Sequence, residues 1–271
     1  MRVLALFLLL FSIVFAKDVM LLNEFRGDEN LSGWVMSEKY DGVRAIWDGK
    51  SLKSRNGNEI YAPAKWKENF PPFKIDGELF TKRGEFERVF SIVADKKPSD
   101  EWSGVKFMIF DVPDENGNLT QRLAVLKKFL DKNPNKNIVI IEQIPVKNTE
   151  HLNQFLDEIL KNGGEGAVVR DPKAEYKSGR SDKILKVKKF HDSECKVLKI
   201  IAGKGKFKDK MGSVLCLDEK SGVEFRLGSG FSDKMRANPP KIGSIITYKY
   251  QNLTKNNKPR FPVFMRFRDE I

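Results

Sequence analysis

The hydrophobic pattern of the chain predicts many short β-strands with a few helices between them. Eight stretches of the first part have the length and apolar pattern of strands, and they are 34–39, 43–47, 51–55, 73–80, 105–112, 138–144, 165–170 and 184–188. Asp48 and Gly49 separate the second stretch from the third and predict a hairpin turn. Helical spacing of apolar residues predicts helices over 86–97, 122–132 and 150–161. Gly163 and Gly164 end the last of them.

The pattern of hydrophobic residues changes near residue 190 and predicts a second domain from there on. Short strands follow over 196–201, 213–218, 223–227 and 244–250, and loops rich in glycine and lysine separate them. Several short strands with turn signals are typical of a small barrel. We therefore predict an α+β fold, with antiparallel sheets and flanking helices over 17–190 and a small β-barrel domain over 191–271.

The first sixteen residues have the pattern of an export signal. Arg2 precedes an apolar run over 3–15, which is shorter than the roughly 20 residues that span a bilayer. Ala16 is a small residue at the position expected for cleavage. We expect residues 1–16 to be removed and the mature protein to be periplasmic and free of the membrane. An uncleaved anchor and a buried helix are the alternatives.

The net charge of the chain indicates its class of partner, and its cysteines bear on its cellular compartment. The 271 residues carry a formal net charge of +12, and such a field attracts polyanions, either nucleic acid or an anionic membrane surface. The alternative is that a net charge of this size only keeps the protein soluble. The two cysteines, Cys195 and Cys216, can form a disulfide in an exported chain. Two separate buried thiols are the alternative, and the sequence favours them slightly.

The residues that indicate chemistry begin at Lys39. Lys39, Asp41, Gly42 and Arg44 stand together around a tight Asp-Gly turn. Taken alone, a Lys-x-Asp-Gly stretch is more often a solvated turn. The stretch nevertheless resembles the active-site signature of the covalent nucleotidyltransferases, which include ATP-dependent DNA ligases, RNA ligases and mRNA capping enzymes. In that superfamily the lysine becomes covalently attached to a nucleoside monophosphate.

Further stretches resemble the remaining motifs of this superfamily, in the same order. Those motifs centre on Arg55, Glu78, Glu165 and the pair Lys186 and Lys188, and Phe110 resembles the aromatic position of the family. The resemblance implies that Arg55 contacts the nucleotide and nicked DNA, and that the ring of Phe110 stacks on the base. It also implies that the paired lysines hold the α-phosphate. Five motifs in order are far more specific than any one of them.

The whole chain resembles a minimal, exported ATP-dependent DNA ligase of bacterial type. The resemblance implies that Lys39 is the catalytic nucleophile and forms lysyl-AMP with ATP. The residues that it implies for ATP or AMP binding are Glu38, Arg44, Arg55, Glu78, Phe110, Glu165, Lys186 and Lys188. Glu38 is expected to read the adenine amino group, and Glu78 and Glu165 are expected to bind Mg²⁺ or Mn²⁺.

The implied partner is nicked or cohesive-ended double-stranded DNA, bound by a monomer. The residues expected to contact the DNA are Arg55, Lys204, Lys206, Lys208, Lys210, Phe231 and Arg266. The barrel that carries most of them is expected to be an OB-fold. An RNA ligase is the near alternative, because it shares the first five motifs. A non-catalytic exported DNA-binding or uptake protein is the alternative from a different class.

Overall fold

The chain divides into two compact units, Met1–Val187 and Lys188–Ile271. The structure, a computed structural model, describes residues 19–254 and 256–268, so the predicted export signal over 1–16 lies outside the described residues. No helix in those two ranges is long and apolar enough to span a bilayer. Short strands dominate both units and helices join some of them, which confirms the predicted α+β class.

The first unit contains two sheets of five strands. Its strands are β1 (Met20–Glu24), β2 (Val35–Lys39), β3 (Val43–Trp47), β4 (Leu52–Ser54), β5 (Ile75–Phe80), β6 (Lys106–Asp111), β7 (Ile138–Ile140), β8 (Ile144–Pro145), β9 (Gly166–Arg170) and β10 (Gly179–Val187). The first sheet has the order β1-β10-β9-β2-β8 and the second has the order β4-β3-β5-β6-β7. Neighbours are antiparallel, except that β1 with β10 and β6 with β7 are parallel.

The chain passes between these two sheets at two places that matter below. Residues 40–42 lead from β2 in the first sheet to β3 in the second, and we call them the first crossing. Residues 141–143 lead from β7 in the second sheet to β8 in the first, and we call them the second crossing. The predicted single strand over 138–144 is therefore wrong, because its two ends pair with strands of different sheets.

Three helices cover the sheets of the first unit. They are α1 (Phe86–Ala94), α2 (Leu119–Lys132) and α3 (Thr149–Lys161). α1 ends earlier than predicted because Asp95 is extended. α2 begins with a capping box between Asn118 and Gln121, which satisfies free backbone donors. The end of α3 at Gly163, where φ is 77°, agrees with the predicted glycine stop.

The second unit is a small barrel, as predicted. Its elements are β11 (His191–Ala202), β12 (Met211–Asp218), β13 (Val223–Leu227), α4 (Asp233–Ala237), β14 (Ile245–Tyr250) and β15 (Val263–Phe267). The antiparallel sheet has the order β13-β12-β11-β14-β15. Ser229, just after β13, bridges to Val263 at the start of β15. The backbone nitrogen of Phe264 also donates to the oxygen of Ser229 at 2.9 Å. The two outer strands of the sheet therefore meet and close the barrel.

Cys195 and Cys216 form a disulfide in the barrel core. The slight preference for two separate thiols is therefore wrong. Cys195 lies on β11 and Cys216 on the neighbouring β12, with Cα atoms 5.5 Å apart and both side chains buried. That distance suits a disulfide, and a sequence separation of 21 residues gave no sign of it.

Candidate active site

Lys39 lies at the junction between the two sheets of the first unit. It is the last residue of β2, and the first crossing begins directly after it. Gly42 in this crossing has no room for a side chain, because a Cβ atom there would lie 2.1 Å from the carbonyl oxygen of Leu79 on β5. The glycine thus lets the crossing lie against the second sheet, which fixes the position of Lys39.

A cavity lies at this junction, with an empty volume of about 620 Å³ that includes space open to solvent. Five residues predicted for the site line it, namely Glu38, Lys39, Arg44, Glu78 and Phe110. The structure therefore brings together side chains from three separate stretches of the sequence. Residues 141 and 143 of the second crossing also line the cavity.

The amine of Lys39 is paired with the carboxylate of Glu165. Nζ of Lys39 lies 2.6 Å from Oε2 of Glu165, and the Glu165 side chain is only 10% exposed. Strand pairing explains this contact, because Lys39 stands opposite Gly166 in the β2–β9 pair. An ammonium group held in this way is not nucleophilic, so the nucleophilic role predicted for Lys39 requires loss of its proton.

Glu78 completes a cluster of charges around Lys39. It stands opposite Arg44 in the β3–β5 pair and keeps some exposure to solvent as a residue. Its carboxyl nevertheless lies deep in the site, and this burial raises its pKa to about 8. Lys39 and Arg44 oppose the rise, whereas the neighbouring charge of Glu165 adds to it. Near neutral pH, Glu78 therefore keeps its proton in many molecules.

Arg44 is held in place by a buried carboxylate that the sequence did not reveal as its partner. Its Nε and Nη2 donate to the two oxygens of Asp76 at 3.0 and 2.6 Å, and Asp76 is fully buried. The hydroxyl of Tyr176 donates to the same carboxylate at 2.7 Å. The guanidinium of Arg44 then lies 5.2 Å from the ring centre of Phe110. Phe110 thus presents its ring to the cavity beside a cation.

A second buried network holds the backbone behind Phe110. Asp111 is fully buried and accepts from Nε of Arg122 at 2.7 Å and from Nη2 of Arg170 at 2.6 Å. Burial alone would raise the pKa of Asp111, but Arg170 and Arg122 outweigh it and hold the pKa below its usual value. Nη1 of Arg170 also donates to the carbonyl oxygen of Phe110 at 3.1 Å. This network ties the backbone at Phe110 to Arg170 and, through Asp111, to Arg122.

Glu38 lines the cavity but already has a partner. Nε and Nη2 of Arg83 donate to its two carboxylate oxygens at 2.8 and 2.7 Å. Gly164 makes room for this arrangement, because a Cβ atom there would lie 3.1 Å from Oε1 of Glu38. Arg83 stands 45 residues from Glu38, and only the folded chain reveals the pair.

Four residues predicted to bind the nucleotide do not line the cavity of the described chain, namely Glu165, which is paired with Lys39, and Arg55, Lys186 and Lys188. Arg55 lies exposed in the turn after β4. Lys186 lies on β10 opposite Val168. Lys188 belongs to the second unit, where its Nζ donates to Oε1 of Gln251 at 2.9 Å. Their contacts with the nucleotide stay predictions.

Most residues predicted to bind DNA lie on the surface of the second unit. Lys204, Lys206, Lys208 and Lys210 are exposed between β11 and β12, and Arg266 is exposed on β15. Phe207 stands between Lys206 and Lys208 in this loop. The centre of its ring lies 4.2 Å from the guanidinium of Arg236. This contact holds the loop on the barrel.

Phe231 requires a correction. It is only 7% exposed and stacks on Phe264, with ring centres 4.6 Å apart. Gly230 before it has a φ of 91°, and a Cβ atom there would lie 2.4 Å from the carbonyl oxygen of Phe264. This turn directs the ring of Phe231 into the barrel core. The predicted DNA contact of Phe231 is therefore replaced by a packing role.

Comparison with known proteins agrees with this arrangement. The family model of the ATP dependent DNA ligase domain matches residues 18–188, and that of the DNA ligase OB-like domain matches residues 202–268. The DNA ligase of Haemophilus influenzae is 47% identical over 262 residues, which cover 96% of this chain and 96% of that protein.

Solved structures point the same way. A structure from a structure-function analysis of Lig E DNA ligases, on DNA binding with a minimal scaffold, has a TM-score of 0.87 and 44% identity. The match covers 92% of this chain and 98% of that one. The Chlorella virus DNA ligase-adenylate has a TM-score of 0.56 at 24% identity, covering 94% and 99%, and shows a shared fold. The chain belongs to the ATP-dependent DNA ligase family, with a nucleotidyltransferase domain followed by an OB-fold domain.

Proposed function

We propose that this chain seals breaks in double-stranded DNA through a lysyl-AMP intermediate on Lys39. Nζ of Lys39 attacks the α-phosphorus of ATP, and a P–N bond forms as the bond to pyrophosphate breaks. An oxygen of the 5′-phosphate at a nick then attacks the same phosphorus, and the P–N bond breaks. Finally the 3′-hydroxyl gives up its proton and attacks the 5′-phosphate, so that AMP leaves.

One observation carries this proposal. Lys39 borders a cavity whose walls also contain Arg44, Glu78 and Phe110, in a chain whose relatives are DNA ligases. The ring of Phe110 offers a stacking surface for a base. Arg44 is fixed by Asp76 and offers a cation beside that ring. These residues can hold a nucleotide while Lys39 reacts with it.

A divalent cation, Mg²⁺ or Mn²⁺, fits the carboxylates near Lys39. Among the described residues, no group of three or more His, Cys, Asp or Glu could hold a metal ion. Mg²⁺ is usually held by one or two carboxylates together with phosphate oxygens, and Glu78 and Glu165 could supply that share. The cation would neutralise charge that gathers on the phosphoryl oxygens. A nearby cation would also favour the ionised form of Glu78.

The experiment that tests the function is labelling with ATP that carries ³²P at the α-position. Lys39→Ala is expected to take up no label and to lose all ligation that starts from ATP, because no amine remains to attack. The same variant is expected to seal a nick that already carries AMP. Lys128→Ala changes an exposed lysine on α2 and serves as the matched control. A labelled Lys39→Ala protein would show that another residue is the nucleophile.

The choice of DNA as the substrate is part of the proposal. The named relatives are DNA ligases, which does not favour the RNA ligase alternative. Nicked and cohesive-ended duplexes are the proposed substrates, and the exposed lysines of the second unit are proposed to contact their phosphates. A ligation panel of DNA, RNA and hybrid duplexes with defined ends tests this choice. Sealing of RNA alone would contradict it.

We also propose that the mature protein is a monomer in the periplasm, free of the membrane. Two features support export. The apolar run over 3–15 has the length of a signal segment, and the disulfide between Cys195 and Cys216 suits an oxidising compartment. Sedimentation analysis of the mature chain tests the monomeric state.

A further inference from the structure

Two buried polar atoms, on residues that line the cavity, have no partner in the described chain. They are Oε1 of Gln143 and Nε of Arg170, and neither has a hydrogen-bond partner among residues 19–254 and 256–268. Both residues line the cavity beside Phe110. Buried polar groups are nearly always hydrogen-bonded. A free acceptor and a free donor on one wall therefore indicate a ligand that supplies the complementary pair.

The rest of each side chain is fixed, which determines the atom that remains free. Nε2 of Gln143 donates to the carbonyl oxygen of Ile141 at 3.1 Å, and this bond orients the amide so that its oxygen is left over. Arg170 is only 4% exposed. Its Nη1 and Nη2 are engaged by the backbone of Phe110 and by Asp111. The free groups are thus one acceptor on Gln143 and one donor on Arg170.

The position of this pair suits a base that stacks on Phe110. Gln143 belongs to the second crossing, and Arg170 is the last residue of β9. Arg170 also bonds directly to the carbonyl oxygen of Phe110. The donor is therefore fixed to the same wall as the ring on which we propose that the base stacks.

We propose that Gln143 and Arg170 select adenine, a role that rests on the proposed function. Oε1 of Gln143 accepts from the 6-amino group, and Nε of Arg170 donates to a ring nitrogen next to it. Adenine presents that combination of donor and acceptor, whereas guanine presents an oxygen acceptor at position 6. Guanine would place this oxygen against the oxygen of Gln143. The pair thus accepts ATP and rejects GTP.

Glu38 is the competing candidate for the amino group. It lines the same cavity, but both of its carboxylate oxygens already accept from Arg83. The two assignments predict different variants. If Gln143 reads the amino group, its replacement removes the preference for that group, while replacement of Glu38 leaves the preference in place.

The test compares ATP with purine riboside triphosphate, which lacks the 6-amino group. The measurement is kcat/KM for lysyl-AMP formation. Wild-type protein is expected to prefer ATP by roughly 10- to 100-fold, as a buried acceptor left unpaired implies. Gln143→Leu is expected to reduce that preference to about 3-fold or less. Gln154→Leu, on the exposed face of α3, is the matched control and is expected to keep the full preference.

A second measurement uses only wild-type protein, so it does not depend on how a variant folds. ATP analogues with CH in place of N1 or N7 are compared with ATP itself. One of the two is expected to lose roughly 10-fold or more in kcat/KM, because the donor on Arg170 is left unpaired. Full activity with both analogues would overturn the role of Arg170.

Other outcomes are equally decisive. A Gln143→Leu protein that slows with both nucleotides by the same factor would show a purely structural role and overturn the proposal. A preference that survives in Gln143→Leu and disappears in Glu38→Gln would assign the amino group to Glu38 and overturn it as well. Wild-type protein that takes no label from ATP would instead overturn the proposed function itself, and this inference with it.

Discussion

At the residue scale, Glu78 shows how the side chains of the cavity control one another's charge. Burial raises its pKa to about 8, and Glu165 adds to the rise. The folded protein therefore holds a proton on Glu78 at pH values where an unfolded chain has released it. Binding of a cation beside Glu78 would expel that proton, so metal affinity should increase with pH.

This proton makes the stability of the protein depend on pH. The pKa of Glu78 lies above its ordinary value of 4.5, so the native state binds more protons than the unfolded state between about pH 4.5 and 8. The contribution of Glu78 to the unfolding free energy therefore falls as pH rises through this window, by at most about 1.4 kcal/mol per pH unit. Glu78→Gln is expected to remove this fall.

Urea unfolding from pH 5 to pH 8 in buffer without divalent cations measures the effect. The gain in unfolding free energy from Glu78→Gln is expected to grow with pH. Glu87→Gln, on the exposed side of α1, is the control and should follow the wild-type curve. A Glu78→Gln curve parallel to the wild type would contradict the raised pKa.

Some residues of the site could be predicted from the sequence and others could not. Lys39, Arg44 and Phe110 each lie in a stretch with its own motif, and the structure brings them to one cavity. Arg83 and Gln143 have no such local signal. Arg83 depends on a partner 45 residues away, and Gln143 stood inside what the pattern indicated was a single strand. Contacts of this kind depend on the tertiary fold.

At the element scale, strands marked by a local sequence pattern, such as a turn, were predicted correctly. The turn at Asp48 and Gly49 predicts the β3–β4 hairpin, and the structure confirms it with an antiparallel pair in which Ala45 stands opposite Ser54. β1 and β15 were missed. β1 pairs with β10, whose residues lie about 160 positions further along the chain. β15 contains Arg266, and the cations of that stretch indicated a tail that contacts DNA rather than a strand. Pairing with a distant strand leaves no local pattern.

The disulfide between β11 and β12 is expected to stabilise the second unit. It closes a loop of 21 residues, and a cross-link of that length contributes about 3 kcal/mol by restricting the unfolded chain. The double variant Cys195→Ala and Cys216→Ala should therefore unfold at a lower urea concentration. Both side chains are small and buried, so the cavity they leave adds to the loss.

Reduction separates the two contributions. Wild-type protein with dithiothreitol loses only the cross-link, whereas the double variant loses the sulfur atoms as well. The wild-type midpoint is expected to fall on reduction, while that of the double variant should not move. If dithiothreitol does not change the urea midpoint of the wild-type protein, the disulfide contributes nothing to stability.

At the scale of the whole molecule, the question is where the positive charge acts. The net charge is +12, and the exposed loop with Lys204, Lys206, Lys208 and Lys210 lies outside the cavity lining. Replacing these four lysines by glutamine should weaken binding to nicked DNA. It should also flatten the salt dependence by about 0.9 per lost phosphate contact. Self-adenylation at Lys39 should be much less affected.

A matched variant distinguishes the loop from net charge. Glutamine at Lys96, Lys97, Lys128 and Lys132, all exposed, removes the same number of charges from the first unit. Affinity for nicked DNA is measured over a salt series for both variants. Equal losses would show that overall charge matters rather than the loop, and a loop variant that binds like the wild type would remove the loop from the interface.

Export is also a property of the whole chain. Residues 1–16 are expected to be absent from the mature protein, so that Lys17 becomes its first residue. Mass spectrometry of the periplasmic fraction measures this directly. Arg2→Glu, which removes the positive charge before the apolar run, should reduce export. Full-length protein recovered from the cytoplasm alone would contradict the signal.

The two crossings between the sheets have a consequence for how such an enzyme can change over generations. The first crossing follows Lys39, and the second carries Gln143. In the described chain, the Gln143 amide donates to the carbonyl oxygen of Ile141, and the Lys39 amine donates to the carboxylate of Glu165. Both residues nevertheless line one cavity, and substitutions coupled through a shared cavity do not act independently. A lineage that changes its preferred nucleotide at the second crossing should therefore acquire compensating changes near the first.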